Sequence, residues 1–338
     1  MIVDAHNHLL VSHARSSEGV LPVVCIDGMC SRMQRGGVAA TGLTVGGTVL
    51  FPLRDAPSPW EGTIDGLQRF WRGLEEAKRD LVVLASPDEV DDISIEQPTV
   101  LLGIEGCEPC FSAPQEDPIA ALHVLARLGV RSLQLLGNPE GPAFEPGSNE
   151  AAAPQLSRDG RALVREAARL GMVIDLAHFS GDEPAFDELL QLAPSSSIAS
   201  HHSCRAVNDM PGALSDDALR KIAAAGGAIG IHIGSHWLSG SGKRQGTLDD
   251  MLRHIRHVVA IVGIDHVAIG TDHIDIHVLP MDLPDTIFMD GFNGPEDSGI
   301  VEEALDDSGF GAEEREKILS SNVLRVWRQA LDKGSMAQ

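Results

Sequence analysis

The sequence predicts an α/β protein built as a (β/α)8 TIM barrel, with loop insertions after strands 2 and 8. Two observations carry that expectation. Apolar runs rich in Val, Ile, Leu and Ala recur along the 338 residues, and a stretch with helical spacing follows nearly every one. Each of several strand candidates also ends in a His, Glu or Asp. In a parallel barrel such ends converge on one rim.

The strand candidates are residues 2–8, 37–45, 99–105, 131–137, 173–178, 197–201, 228–233 and 266–272. Amphipathic stretches at 118–128, 158–170, 184–192, 216–225, 248–262 and 312–331 read as the helices between and after them. Two stretches exceed one barrel unit. Residues 50–96 carry more than one element, and 274–311 is rich in Asp, Pro and Gly; both are expected as insertions that cap the site. With no repeat and no convincing linker, the chain is expected to be a single barrel domain over 1–338, a size such barrels commonly reach.

Composition narrows the function classes. The chain is 43% hydrophobic and 22% charged, with 49 acidic against 26 basic residues and a formal net charge of -23. A polyanion would be repelled, so neither nucleic acid nor an anionic membrane is an expected partner; a small-molecule substrate is. Five cysteines are a sparse, odd set, and Met1 leads straight into Ile2-Val3-Asp4 with no basic or apolar leader pattern. A cytoplasmic, reduced protein is expected, without a membrane anchor. The absence of tyrosine has no evident physical cause.

His6-Asn7-His8 closes the first strand candidate, and residues two apart on a strand face the same way, so both imidazoles can address one ion. A lone His-x-His is more often ordinary surface or capping histidine. Here Glu105, His178, His201 and Asp272 stand at four further strand ends. Imidazole with carboxylate suits zinc, with manganese or iron as alternatives, and a mixed His/Asp/Glu set is the usual chemistry of two-metal hydrolytic sites.

His202 should face away from His201 by strand alternation. His232, His236 and His273 lie near the last two strand ends, where any of them could supply an oxyanion or substrate contact, although a structural hydrogen bond is the simplest role. Helical spacing assigns His123, His254 and His257 to packing or surface. Cys107-Glu-Pro-Cys110 has redox or zinc spacing but no second pair, so it reads as a loop element, and Asp175 reads as structural.

From residue 156 to 331 the chain resembles the membrane (renal) dipeptidase family of the amidohydrolase superfamily. The stretches that carry this are Leu170-Gly-Met-Val-Ile-Asp-Leu-Ala-His178, Ile198-Ala-Ser-His201 with Arg205-Ala206-Val207, Gly226-Gly227, and Val262-Gly263 leading to Gly270-Thr-Asp272. Residues 4–8, 101–106 and 128–135 continue it upstream. The resemblance implies a binuclear zinc hydrolase that cleaves dipeptides, often with a D-residue at the carboxyl end. It makes His6, His8, Glu105 and Asp272 ligands of one ion and has Glu105 bridge to a second ion held by His178 and His201. It also implies a water activated by both ions and Asp272 as the proton carrier to the leaving amine, and it suggests a homodimer.

The chain departs from the family pattern at three places. His8 stands where the family has Asp, Leu136-Gly137 where it has a Thr-His pair that stabilises the oxyanion, and Gly212-Ala213 where an Arg-Asn grips the substrate carboxylate. Losing an oxyanion donor alone costs about 10²–10³ in turnover. The leading expectation is therefore hydrolysis of the amide of a dipeptide or small N-acyl amino-acid-like compound. The alternatives are a non-peptide amide, ester or lactone substrate, or a metal-binding relative without turnover.

Overall fold

The computed structural model describes residues 1–8, 22–47, 56–135, 141–145, 155–240, 244–274, 284 and 286–336, with side chains omitted at 22–25 and 336. Eight parallel strands form the barrel: β1 (Ile2–Asn7), β2 (Val38–Gly47), β3 (Thr99–Glu105), β4 (Ser132–Gln134), β5 (Val173–Asp175), β6 (Ser197–His202), β7 (Ala228–Ile231) and β8 (Val267–Ile269). They pair in chain order, and β1 closes the ring by pairing Asp4 with Ile269 of β8. All eight expected strands are present, so the closed parallel barrel follows the sequence reading. The expected β5 and β8 run on by three residues past their observed ends and β7 by two, because the chain turns out of the ladder there to form the rim; residues 136–137 of the expected β4 lie outside the described residues.

Helices alternate with the strands as the apolar spacing requires. Helices Pro184–Leu192 and Leu248–Val262 have the expected limits, while Pro118–Arg127, Arg158–Arg169 and Asp216–Ala224 each stop one residue short of them. Several begin at a side-chain cap: Ser157 accepts from the Gly160 amide, Ser215 from Ala218, and Thr247 shares a reciprocal capping box with Asp250. The expected helix over 312–331 is instead two helices, Ala312–Glu316 and Asn322–Met336, joined by a π-helical turn at Lys317–Ser321. Between β2 and β3 lie the helix Pro59–Glu76, a two-residue strand Val82–Val83 paired to the start of β3, and a short helix Asp88–Asp91. The two-residue strand was not expected. Within the described residues no helix is long and apolar enough to cross a membrane.

The interior is layered. Leu101, Gly103 and Glu105 share one face of β3; the same alternation aligns Ala228, Gly230 and His232, and likewise Ala268, Gly270 and Asp272. The first member of each set packs in one apolar cluster with Trp327, Val323 and Val326, so the C-terminal helix plugs the barrel floor. The last member is polar and stands at the opposite, carboxyl rim. Between the two layers sit glycines, and strand irregularities account for those at 230 and 270 and for Gly42. In β1 and β6 one extra residue bulges, between Asp4 and Asn7 and between Ala199 and His202. The bulges bring the Ala5 and Ser200 carbonyls against neighbouring strands. A Cβ on Gly42 would lie 2.2 Å from the Ala5 oxygen, and one on Gly230 or Gly270 would lie 1.8 or 1.7 Å from that of Ser200. The residues that follow these carbonyls are His6 and His201. A bulge re-aims the next side chain, and here it turns both imidazoles toward the barrel axis.

Candidate metal centre

The six residues singled out in the sequence come together at the carboxyl rim. One potential ion-holding group is His6, His8, Glu105 and Asp272; another is Glu105, His178 and His201; each set brings its ligand atoms within 4.8 Å of one another. A third grouping, His6, Asp175 and His201, links the two.

The spacing of the donors fits divalent ions. His6 and His8 face each other through Nε2 at 3.3 Å, and His178 and His201 do so at 3.4 Å. Two ligands on a tetrahedral zinc at about 2.0–2.1 Å stand about 3.3–3.4 Å apart. The Glu105 carboxylate divides its oxygens between the groups: Oε1 lies 2.9 Å from His178 Nε2, while Oε2 lies 3.0 Å from His8 and 3.5 Å from His6. Oε2 is buried and makes no hydrogen bond of good geometry, as expected of an atom oriented for a metal. Asp272 Oδ1 is 2.9 Å from His8 Nε2 and 3.6 Å from His6 Nε2.

Backbone strain marks the same places. His178 and Asp272 hold φ at 70° and 49°, a left-handed conformation that His and Asp tolerate better than most residues. His178 therefore stands in the turn after β5 rather than in the strand.

Below the six lies a supporting shell. Asp175 Oδ1 accepts the Ala177 and Ser200 amides, and Oδ2 approaches His6 Nδ1 at 3.8 Å. Asp4 accepts the Thr271 amide at 2.8 Å and the Thr271 hydroxyl at 2.6 Å, tying β1 to the loop that carries Asp272. Such partners orient ligands and tune their basicity. Asp175 thus takes the structural, hydrogen-bonded place expected of it, with its second oxygen near His6. Asp4 was missed, although it precedes His6 and His8 at strand spacing in Asp4-Ala-His6-Asn-His8. The Ser200 hydroxyl bonds His201 Nδ1 at 2.8 Å, leaving Nε2 for the centre.

His232 has the hydrogen-bonded role expected of it, and its partner is Asp272. The Gly234 amide donates to His232 Nδ1 at 2.6 Å, so Nε2 carries the proton and donates it to Asp272 Oδ2 at 3.0 Å. His202 reaches the Leu176 carbonyl and His273 reaches the Asn293 carbonyl, so neither belongs to the ion-holding groups. His236 is exposed at the rim. Gly137 lies outside the described residues. Cys107 and Cys110 are fully buried, and burial pushes the Cys110 thiol up to about 12 and that of Cys107 well above its usual value, which suits packing rather than redox chemistry.

Charge in the centre is strongly coupled. Burial opposes a charge on His8, but the Glu105 and Asp272 carboxylates beside its Nε2 outweigh it and push the imidazolium up to about 10. Burial also opposes ionisation of Glu105 and Asp272, yet the surrounding imidazoles hold both well below the carboxylate range. Burial keeps His201 far below its ordinary value, hence neutral and ready to ligate.

Comparison with known proteins agrees with this architecture. A metallopeptidase from Rhodobacter sphaeroides, solved with a phosphinate mimic of the dipeptide L-Ala-D-Ala, superposes with a TM-score of 0.77 at 22% identity over 98% of each chain. An amidohydrolase from Pseudomonas aeruginosa gives 0.74 at 21% identity, covering 98% of this chain and 97% of its own. Among curated sequences, dipeptidase tcpJ of Claviceps purpurea is 28% identical over 233 residues, which is 69% of this chain and 51% of the fungal protein. The uncharacterized dipeptidase C965.12 of Schizosaccharomyces pombe is 27% identical over 68% of this chain and 52% of its own length. The chain spans about half the length of these curated relatives. The family profile described as "Membrane dipeptidase (Peptidase family M19)" matches residues 1–337, and the chain accordingly belongs to the membrane dipeptidase family.

Proposed function

We propose that this protein is a metal-dependent hydrolase that binds two zinc ions and cleaves the amide bond of a dipeptide or a small N-acyl amino-acid-like compound. The observation that carries the reading is the division of Glu105 between two sets of imidazoles, 2.9 Å from His178 through one oxygen and 3.0 Å from His8 through the other. His6, His8, Glu105 and Asp272 would hold one ion, and Glu105, His178 and His201 the other. When bound, the ions supply a water acidified to near neutral pH and a Lewis acid for the scissile carbonyl.

The chain's own residues do the rest. Asp272, oriented through Oδ2 by His232, keeps Oδ1 turned to the centre, where it accepts the proton of the attacking water and delivers it to the leaving amine. The Asp175 and Asp4 layer holds His6 and the Asp272 loop in place, so that little reorganisation accompanies reaction. The dipeptide mimic bound by the Rhodobacter sphaeroides relative supports this substrate class. A reducing, cytoplasmic setting fits the free buried thiols of Cys30, Cys107, Cys110 and Cys204.

The test is hydrolysis of L-Xaa-L-Xaa and L-Xaa-D-Xaa dipeptides by zinc-reconstituted protein, with chelator-stripped protein as control. Zinc-dependent release of amino acids is expected. Stoichiometric zinc with no release from any peptide or N-acyl amino acid would move the activity to the ester, lactone or non-peptide amide class.

A further inference from the structure

The rim beside Asp272 is walled by rings. His232, which holds Asp272, has Trp237 at 5.7 Å between ring centroids and His236 at 6.3 Å, and those two lie 5.2 Å apart. Trp237 is half-buried and His236 exposed, so the wall shows a face to solvent. It is also held firmly. The buried Asn208 amide donates to the carbonyls of His236 at 3.0 Å and Trp237 at 2.7 Å.

The outer edge of the indole lies against Gly212. This residue has φ of +84°, and a Cβ there would come 3.1 Å from Trp237 Cη2. A long side chain at this position would need the indole to move. Past His236 a cleft of about 420 Å³ opens, lined by Ser235, Gly240, Gln245, Thr286 and Ile287.

The guanidiniums on the flanking segments are turned to other partners. Arg205 bonds Asp182 at 2.7 Å and the carbonyls of Ala213 and Ser180 at 3.2 and 3.3 Å. Arg244, on the edge of the cleft, places both terminal nitrogens on the buried Asp250 carboxylate, and Arg253 pairs with the same group. Among the described residues, a free carboxylate laid against this wall would therefore meet rings and no open guanidinium fork. An indole face instead favours a flat apolar group or a cation.

Resting on the hydrolase reading above, we propose that Trp237 and His236 determine specificity, and that they receive a leaving group that is uncharged and aromatic rather than one ending in a free carboxylate. The leaving side is assigned because Asp272, the group that hands a proton to the departing amine, is the one held by His232 at the base of the wall. Substrates of this class are aminoacyl amides of aromatic amino-acid amides or of arylalkylamines.

The experiment uses the zinc-loaded full chain and two matched pairs: glycyl-L-phenylalanine and glycyl-D-phenylalanine, each as free acid and as carboxamide. Binding is read by calorimetry and cleavage by amine release. In at least one pair the carboxamide should bind about tenfold more tightly than the acid. Trp237→Ala should abolish that preference through KM with kcat little changed, and Trp237→Phe should retain it. Thermal melts establish that both variants fold.

Preference for the free acid, a preference that survives Trp237→Ala in folded protein, or no binding by either carboxamide would overturn the proposal. Tight, Trp237-dependent binding of the carboxamide without cleavage would support the wall and count against the hydrolase reading, so the two failures are separable.

Discussion

His232 and Asp272 are joined by one hydrogen bond whose direction is fixed: the Gly234 amide occupies His232 Nδ1, and Nε2–H points at Asp272 Oδ2 across 3.0 Å. That leaves Asp272 Oδ1 as the oxygen facing His8 and His6. Removing the donor by His232→Ala should lower metal affinity or turnover about 10–100-fold, the usual cost of losing a partner that orients a ligand. His232→Asn, which retains an N–H donor, should recover part of the loss. Competitive chelator titration with zinc and steady-state rates of the three proteins measure both effects. Equal losses in Ala and Asn variants of unchanged thermal stability would show that the hydrogen bond does not matter.

Metal uptake should depend on pH through His8. With its imidazolium pushed up to about 10, His8 is charged in the metal-free protein at neutral pH, and an ion can bind only by displacing that proton. Affinity should fall as pH falls and level off above about 10, with at least one proton released per chain at pH 7, since Glu105 raises His178 as well as His8. Calorimetry of zinc binding in buffers of different ionisation enthalpy counts the protons. For folding of the metal-free chain the sign is opposite. A raised histidine contributes stability that is full below its unfolded value of 6.5 and fades as pH climbs toward about 10.

Gly270 lies opposite the bulge that aims His201, with room for no Cβ because the Ser200 oxygen would be 1.7 Å away. Gly270→Ala should destabilise the protein by about 1–3 kcal/mol or more and weaken metal binding by displacing Ser200 and His201. Chemical denaturation and zinc titration of the variant test both consequences. An unchanged midpoint would mean the strands shift at no cost.

Asp250 is buried between Arg244 and Arg253 and closes the Thr247 capping box, so its carboxyl is held below the usual range even though burial acts the other way. The sign follows from that depression: its stabilisation is present above the unfolded value of 3.8 and is lost as pH falls through the depressed folded value. Asp250→Asn should lower stability by about 1–3 kcal/mol at neutral pH and flatten the acid limb of the stability profile. Urea unfolding from pH 3 to pH 7 compares the two proteins.

Much of this arrangement is legible in the residues alone. The ligand candidates stand out because each closes an apolar run, and a parallel barrel sends all such ends to one rim. His178 and Asp272 were found even though both lie past their strands, since the strain that turns them inward leaves the motif intact. Strand alternation could not show the bulges in β1 and β6, because an extra residue in a ladder carries no compositional mark; only the glycines at 42, 230 and 270 hint at it. Which partner His232 takes was hidden for a similar reason. It depends on a backbone amide two residues on, and on a loop from the neighbouring strand. The π-helical turn at Lys317–Ser321 interrupts a stretch whose apolar spacing reads as continuous.

The central claim is that His6, His8, Glu105, His178, His201 and Asp272 hold two ions through a shared carboxylate. Elemental mass spectrometry of zinc-reconstituted protein, wild type beside Glu105→Gln, tests it most directly. About two zinc ions per chain in the wild type, falling to one or none in the folded variant, is the result expected of a bridging Glu105. No stoichiometric zinc in the wild type, or undiminished zinc in the variant, would contradict it.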